Sequence, residues 1–148
     1  DVRSALAMTE PAPGGGSDPS MIKTEAIYKN NKWIVNGLKW YITGAGIASH
    51  FILLAKTKDG LTAFLYHKNQ PGWRIKRRIP IMGPEEHGGH CEIEYNGLEI
   101  PDENQMEETI AYNTLGSVIH NTLEDLYKPL ENKKLNEKHM SLFPLIED

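Results

Sequence analysis

Over its first hundred residues the chain repeats one cadence, and that cadence sets the fold class. Short runs rich in β-branched and aromatic residues are each closed by turn formers. Residues 22–29, 33–35, 40–43, 51–56, 61–66, 74–79 and 92–95 have the length and composition of strands. Between them, Asn30-Asn31, Asn36-Gly37 and Asn96-Gly97 tolerate φ > 0, the backbone requirement of a tight hairpin, so each predicts a reversal. Pro71-Gly72 and Pro84 mark loops, and Ile100-Pro101 closes the last strand, because proline cannot donate to a ladder. Short, regularly spaced strands of this kind predict a small barrel or sandwich.

After Asn104 the period changes. Leu115, Val118, Ile119, Thr122, Leu123 and Leu126 recur at three- and four-residue steps, which places them on one face of a helix that Pro129 ends. Residues 107–128 are therefore predicted as an amphipathic helix, and the charged, Asn-rich stretch from Glu131 onward as a weakly ordered tail. The expected organisation is a β domain over 1–105, a helix over 106–130 and a tail over 131–148. A bare apolar helix face invites association, so a homo-oligomer through residues 115–126 is expected.

A formal net charge of -4 argues against a nucleic-acid partner, which usually meets a basic surface. The balance of 39% hydrophobic and 24% charged residues fits a soluble domain, and no apolar run reaches membrane-spanning length. A single cysteine, Cys91, precludes an internal disulfide and points to a reducing compartment. The opening "DVRSALAMTEP" carries no initiator methionine and enters strand-like sequence at once, which suggests a piece of a longer protein.

The stretch "LAMTEPAPGGGSDPS", residues 6–20, follows the first strand-like segment and holds three consecutive glycines before a hydroxyl and a carboxylate. Glycines allow a backbone to approach a ligand closely, which suits a phosphate. No Gly-Lys-Ser/Thr closes the run as in a Walker loop, and no helix follows as in a dinucleotide fingerprint. From the residues alone it reads either as an anion cradle or as a flexible turn.

Several segments together carry a resemblance. "LAMTEP…GGGSDPSMIKTEA", "KWIVNGLKWYITGAG", "PGWRIKRRIPIMG" and "CEIEYNGLEIPDEN" stand in the order and approximate spacing of the middle β-domain of acyl-CoA dehydrogenases, from about Arg3 to Asn104. "HGGH" at 87–90, with "WYITGAG", resembles most the subgroup often fused to a phosphotransferase-like domain. The resemblance implies a mainly β fold, a small antiparallel β-barrel followed by a C-terminal α-helix, and FAD as cofactor. It implies that Met8 and Thr9 meet the flavin ring, that Gly16 and Ser17 lie near the FAD pyrophosphate, that Tyr41 packs beside the ring, and that the Thr43 hydroxyl reaches flavin N5. The loop then reads as a nest of backbone N–H groups for an anion. Five residues, 12–16, separate Thr-Glu-Pro from Ser-Asp, more than in common members, so Gly14 and Gly15 have no individual counterparts.

The implied parent oxidises an acyl-CoA to the trans-2-enoyl-CoA and passes electrons to an electron-transfer flavoprotein, with an acyl-CoA oxidase as the nearer rival. Its carboxylate base sits in a helical domain that no segment here matches, so no catalytic residue is assigned and the isolated chain is expected to be inactive. The alternative is a non-catalytic β-barrel binding or assembly module without flavin. The implied location is intracellular: mitochondrial or peroxisomal in a eukaryote, cytoplasmic in a bacterium.

Other constellations are assigned no chemistry. His87, His90 and Cys91 are too cramped for a metal site and read as loop residues. Glu85, Glu86 and Asp18 read as solvated carboxylates. Lys76, Arg77 and Arg78 are expected to be split between two faces by strand alternation. Without the resemblance, Tyr41 reads as a core aromatic, as do Trp33, Trp40 and Trp73.

Overall fold

The computed structural model describes residues 3–16, 18–82 and 88–107, and His120, Leu123, Glu124 and Lys128 singly. Asn30 and Asn31 take φ of 54° and 60° and close β2 (Glu25–Lys29) onto β3 (Lys32–Thr43), the reversal their composition predicts. The other two Asn pairs make no turn. Both lie inside long strands, β3 and β7 (His90–Pro101), which pair antiparallel with Val35 opposite Leu98 and then Asn36 opposite Asn96. Gly97, at φ 73°, is the residue left over, and its N–H donates to the Asn36 side-chain oxygen at 2.9 Å. This is a β-bulge, which bends a ladder without reversing it. The predicted strands 33–35 and 40–43 are thus one strand.

Among the described residues eight strands form one sheet, curled into a half-barrel. The remaining strands are β1 (Ser4–Ala7), β4 (His50–Thr57), β5 (Gly60–His67), β6 (Trp73–Ile79) and β8 (Gln105–Glu107). The sheet order is β6-β7-β3-β2-β4-β5-β8, with β1 on β4. β5 runs antiparallel along one edge of β4. The other edge is shared: β1 lies parallel to His50–Leu53, and β2 touches it where Glu25 meets Lys56. The chain therefore leaves this edge after Ala7 and returns to it at Glu25, and residues 8–24 form an excursion beside β3.

The main core cluster buries Val35, Phe51, Phe64, Tyr66, Tyr95, Leu98 and Ile100. Phe51 stacks on Tyr66 at 4.8 Å, and the two buried tyrosine hydroxyls of Tyr66 and Tyr95 satisfy each other at 3.1 Å. Trp33 is buried against Phe64, and Trp73 packs on the cluster from the edge strand. Of the predicted C-terminal helix, His120, Leu123 and Glu124 are described and helical. Leu115, Val118, Ile119, Thr122 and Leu126 lie outside the described residues, as do the tail, Ser17, Glu85, Glu86 and His87.

Candidate functional site

The excursion between β1 and β2 is held by one buried ion pair. The Glu10 carboxylate accepts from Lys39 Nζ on β3 at 2.8 Å, from the Lys23 N–H at 2.7 Å and from the Thr24 N–H at 3.0 Å. Lys39 Nζ donates a second bond, to the Met8 carbonyl at 2.9 Å. The Lys39 side chain is 0% and that of Glu10 3% exposed, so two charges are removed from water together. Burial would push the Glu10 carboxyl up, but the Lys39 charge and the converging donors outweigh it and hold the group below its ordinary value. Burial draws Lys39 down to about 8 against the opposing pull of Glu10.

The backbone of Glu10 also shapes the glycine run. The Glu10 N–H donates to the Gly16 carbonyl at 3.3 Å, folding the loop back on itself. A Cβ on Gly15 would stand 2.4 Å from the Asp18 carbonyl, so glycine there serves the loop's own packing. Gly16, at φ 55°, has open space where its Cβ would point. Asp18 caps the short 3-10 turn Pro19–Met21 by accepting from the Ser20 N–H at 2.9 Å.

Immediately after Lys39, β3 is bulged. Lys39 pairs with Ile93, but the next partner of β7 is Ile42, so Trp40 and Tyr41 are extruded from the register. Tyr41 takes φ 52°, a conformation that bulky L residues avoid, and its ring is half exposed beside Trp40 at 5.1 Å. Tyr41 is therefore not a core aromatic: the bulge turns it outward. The loop meets the bulge through Thr9, whose hydroxyl donates to the Trp40 carbonyl while its own carbonyl accepts from the Trp40 N–H at 3.0 Å. Past buried Ile42, Thr43 is exposed and its hydroxyl lies 3.0 Å from His90 Nδ1.

Of the six residues assigned from the sequence, the structure brings Met8, Thr9, Tyr41 and Thr43 to the C-terminal half of β3. Gly16 stands farther out on the loop, and Ser17 lies outside the described residues. Met8 also packs its side chain against the small cluster of Ile22, Leu54, Leu61 and Ala63. Two expectations change. His90 and Cys91 are not loop residues but open β7, with Cys91 fully buried. The alternation expected of Lys76, Arg77 and Arg78 is kept only in part: a bulge at Lys76 sets Lys76 and Arg77 on one carboxylate, while Arg78, paired with Cys91, falls on the other face, and all three are exposed. Lys76 and Arg77 share the Glu92 carboxylate, and their hydrogen bonds and charges hold its value down.

Sequence reasoning missed Glu10 and Lys39, and it read His90 as a loop residue. The first two read as part of a motif and a strand, and only the fold, which brings them together, reveals a buried pair.

Residues 5–98 match the sequence model of the middle domain of acyl-CoA dehydrogenases. An acyl-CoA dehydrogenase of Bacillus subtilis is 34% identical over 114 residues, which cover 72% of this chain and 28% of that one. Among solved structures, the electron transferring flavoprotein of Acidaminococcus fermentans, from work on flavin-based electron bifurcation, superposes with a TM-score of 0.66 at 28% identity, covering 82% of this chain and 32% of that one. The butyryl-CoA dehydrogenase of Megasphaera elsdenii does so with a TM-score of 0.66 at 26% identity, over 82% and 32%. The chain thus spans less than a third of the length of these relatives.

Proposed function

Because the chain belongs to the acyl-CoA dehydrogenase family, as its middle domain, we propose that it supplies one wall of an FAD site in a longer acyl-CoA dehydrogenase. The observation that carries this reading is the bulge at Trp40-Tyr41. It turns a half-exposed aromatic ring outward, in the bulge that Thr9 bonds through Trp40 and two positions before the exposed Thr43. Backbone strain of this kind collects at functional sites, and a planar aromatic surface with hydroxyls at its margin matches a flavin ring. The donor set fits the group. Met8 and Thr9 would meet the ring with Tyr41 packed beside it, Thr43 would reach N5, and Gly16 with Ser17 would lie near the pyrophosphate. When bound, the flavin accepts the hydride that leaves the β-carbon of an acyl-CoA, giving the trans-2-enoyl-CoA, and an electron-transfer flavoprotein takes the electrons.

This chain's own share of that chemistry is positioning. Thr9 already donates its hydroxyl proton to Trp40, so toward a ligand its oxygen is an acceptor. No described residue is matched to the family's carboxylate base, so the chain alone is catalytically silent. Burial of FAD also needs walls from elsewhere in the parent, so the chain binds it weakly. Titration with FAD, followed by quenching of flavin fluorescence, is expected to give a Kd above about 1 µM that rises further in Tyr41→Ala. Absence of quenching at saturating FAD would instead favour a barrel kept as a binding module. The helix face 115–126 is proposed to associate with a second copy, which solution molar mass of Ile119→Asp/Leu123→Asp would test.

A further inference from the structure

The Gly-Gly-His segment at 88–90 has a structural purpose that its composition conceals. The Gly44 N–H donates to the Gly89 carbonyl at 2.9 Å, and the Gly46 N–H to the Gly88 carbonyl at 3.2 Å. These bonds lock the turn after β3 onto the start of β7. The approach is close enough that a Cβ on Gly46 would stand 2.5 Å from the Gly88 carbonyl, and one on Gly88 2.9 Å from the Ile47 nitrogen. On the other side of β7, Ile79 of β6 pairs with His90. His90 is thus fixed from both neighbours, directly across the ladder from Thr43, with Nδ1 at 3.0 Å from the Thr43 hydroxyl oxygen.

A hydroxyl has one proton and two acceptor positions, so the tautomer of His90 decides what Thr43 offers to anything in front of it. With a proton on Nδ1, His90 donates and the Thr43 O–H is free to donate onward. With a lone pair on Nδ1, Thr43 donates to His90 and presents only acceptor capacity. N5 of an oxidised flavin is an acceptor, so only the first arrangement is complementary to it.

We propose that His90 is a positioning residue for the Thr43 hydroxyl: it fixes the rotamer of Thr43 and, donating from Nδ1, aims the hydroxyl proton at the flavin. The destination and the sense of donation rest on the flavin reading above, while the Thr43–His90 contact itself does not. In the exposed pair water competes for both groups, and a ring laid over them removes that competition and strengthens the bond.

Two measurements on the full chain separate the claims. Without flavin, long-range proton–nitrogen NMR reads the tautomer of His90. The ratio is expected to change in Thr43→Val and to move toward the Nδ1–H form when FAD is added; an identical ratio in both proteins would overturn the positioning of Thr43 by His90, and no movement with FAD bound would overturn the orientation. With FAD, His90→Ala is expected to weaken binding by roughly 2- to 10-fold, the worth of one hydrogen bond, and His90→Asn, which keeps an N–H near Nδ1, to recover part of it. Adding His90→Ala to Thr43→Val should cost nothing more, because the two act as one unit. Additive losses would show that His90 acts without Thr43 and would overturn the proposal. Failure of the wild-type chain to bind FAD at all would remove the flavin reading and the orientation with it, leaving the NMR comparison to decide the Thr43–His90 contact.

Discussion

Glu10 and Glu92 are both covered carboxylates that gather cationic donors, and they differ in where the cations stand. Around Glu10 the lysine is wholly buried and divides its bonds between the carboxylate and the Met8 carbonyl. Around Glu92 the cations Lys76 and Arg77 lie 44% and 56% exposed on the edge strand β6. A buried cation has no water to fall back on, so its geometry dictates the path of the chain around it. Exposed cations exchange protein partners for solvent at little cost, and their pairs decorate a strand that the ladder already defines. The loop beside β3 is therefore specified electrostatically, and the β6 edge by backbone pairing.

The contrast is broken most directly at Lys39. Lys39→Met strands a buried carboxylate and is expected to cost about 3–5 kcal/mol in denaturant unfolding, with part recovered when Glu10→Gln is added. A cost no larger than that of Arg77→Ala would end the comparison. Acid sharpens it next. Glu10 and Glu92 both titrate below their ordinary value, so each contributes stability present above about 4.5 and lost as pH falls through its folded value. Glu10→Gln is expected to flatten the acid limb of a stability–pH curve more than Glu92→Gln does.

A smaller effect comes from the bulge that the buried pair underlies. Tyr41→Gly relieves the left-handed backbone at the expense of a looser unfolded chain, for a net gain of up to about 1 kcal/mol. FAD binding should weaken in the same variant, so that stability and affinity move in opposite directions. The smallest effect belongs to the exposed pairs: Arg74→Ala and Arg77→Ala should each cost less than about 1 kcal/mol, shrinking further when unfolding is measured in high salt.

What the sequence disclosed, and what it did not, follows from the range of the forces involved. The Asn30-Asn31 hairpin was legible because a two-residue turn is decided by its own φ preferences. Asn36-Gly37 and Asn96-Gly97 carry the same preferences, but whether they reverse or bulge depends on the strand opposite, here each other's. The mainly β class and the family resemblance survived such local errors because both draw on many segments at once. At the site, Thr43 was singled out only through the family resemblance, and the structure shows it exposed. The Glu10–Lys39 pair, 29 positions apart, and the Thr43–His90 contact, 47 apart, exist only once the ladder and the excursion are in place. The bulge at Lys76 likewise hid in a run that composition reads as plain alternation.

The bonds from Glu10 to Lys23 and Thr24 also have a consequence for how this loop can vary in length. They join the two feet of the excursion, so residues 11–22 span a gap that these bonds already close. Lengthening such a loop by two residues costs only roughly 0.1 kcal/mol in closure entropy, far less than moving a strand out of register would. Insertions in the loop are therefore absorbed at less cost between the feet than by shifting β1 or β2. The five residues that separate Thr-Glu-Pro from Ser-Asp can be accommodated in this way, with the reach of the tip as an adjustable dimension over a fixed base.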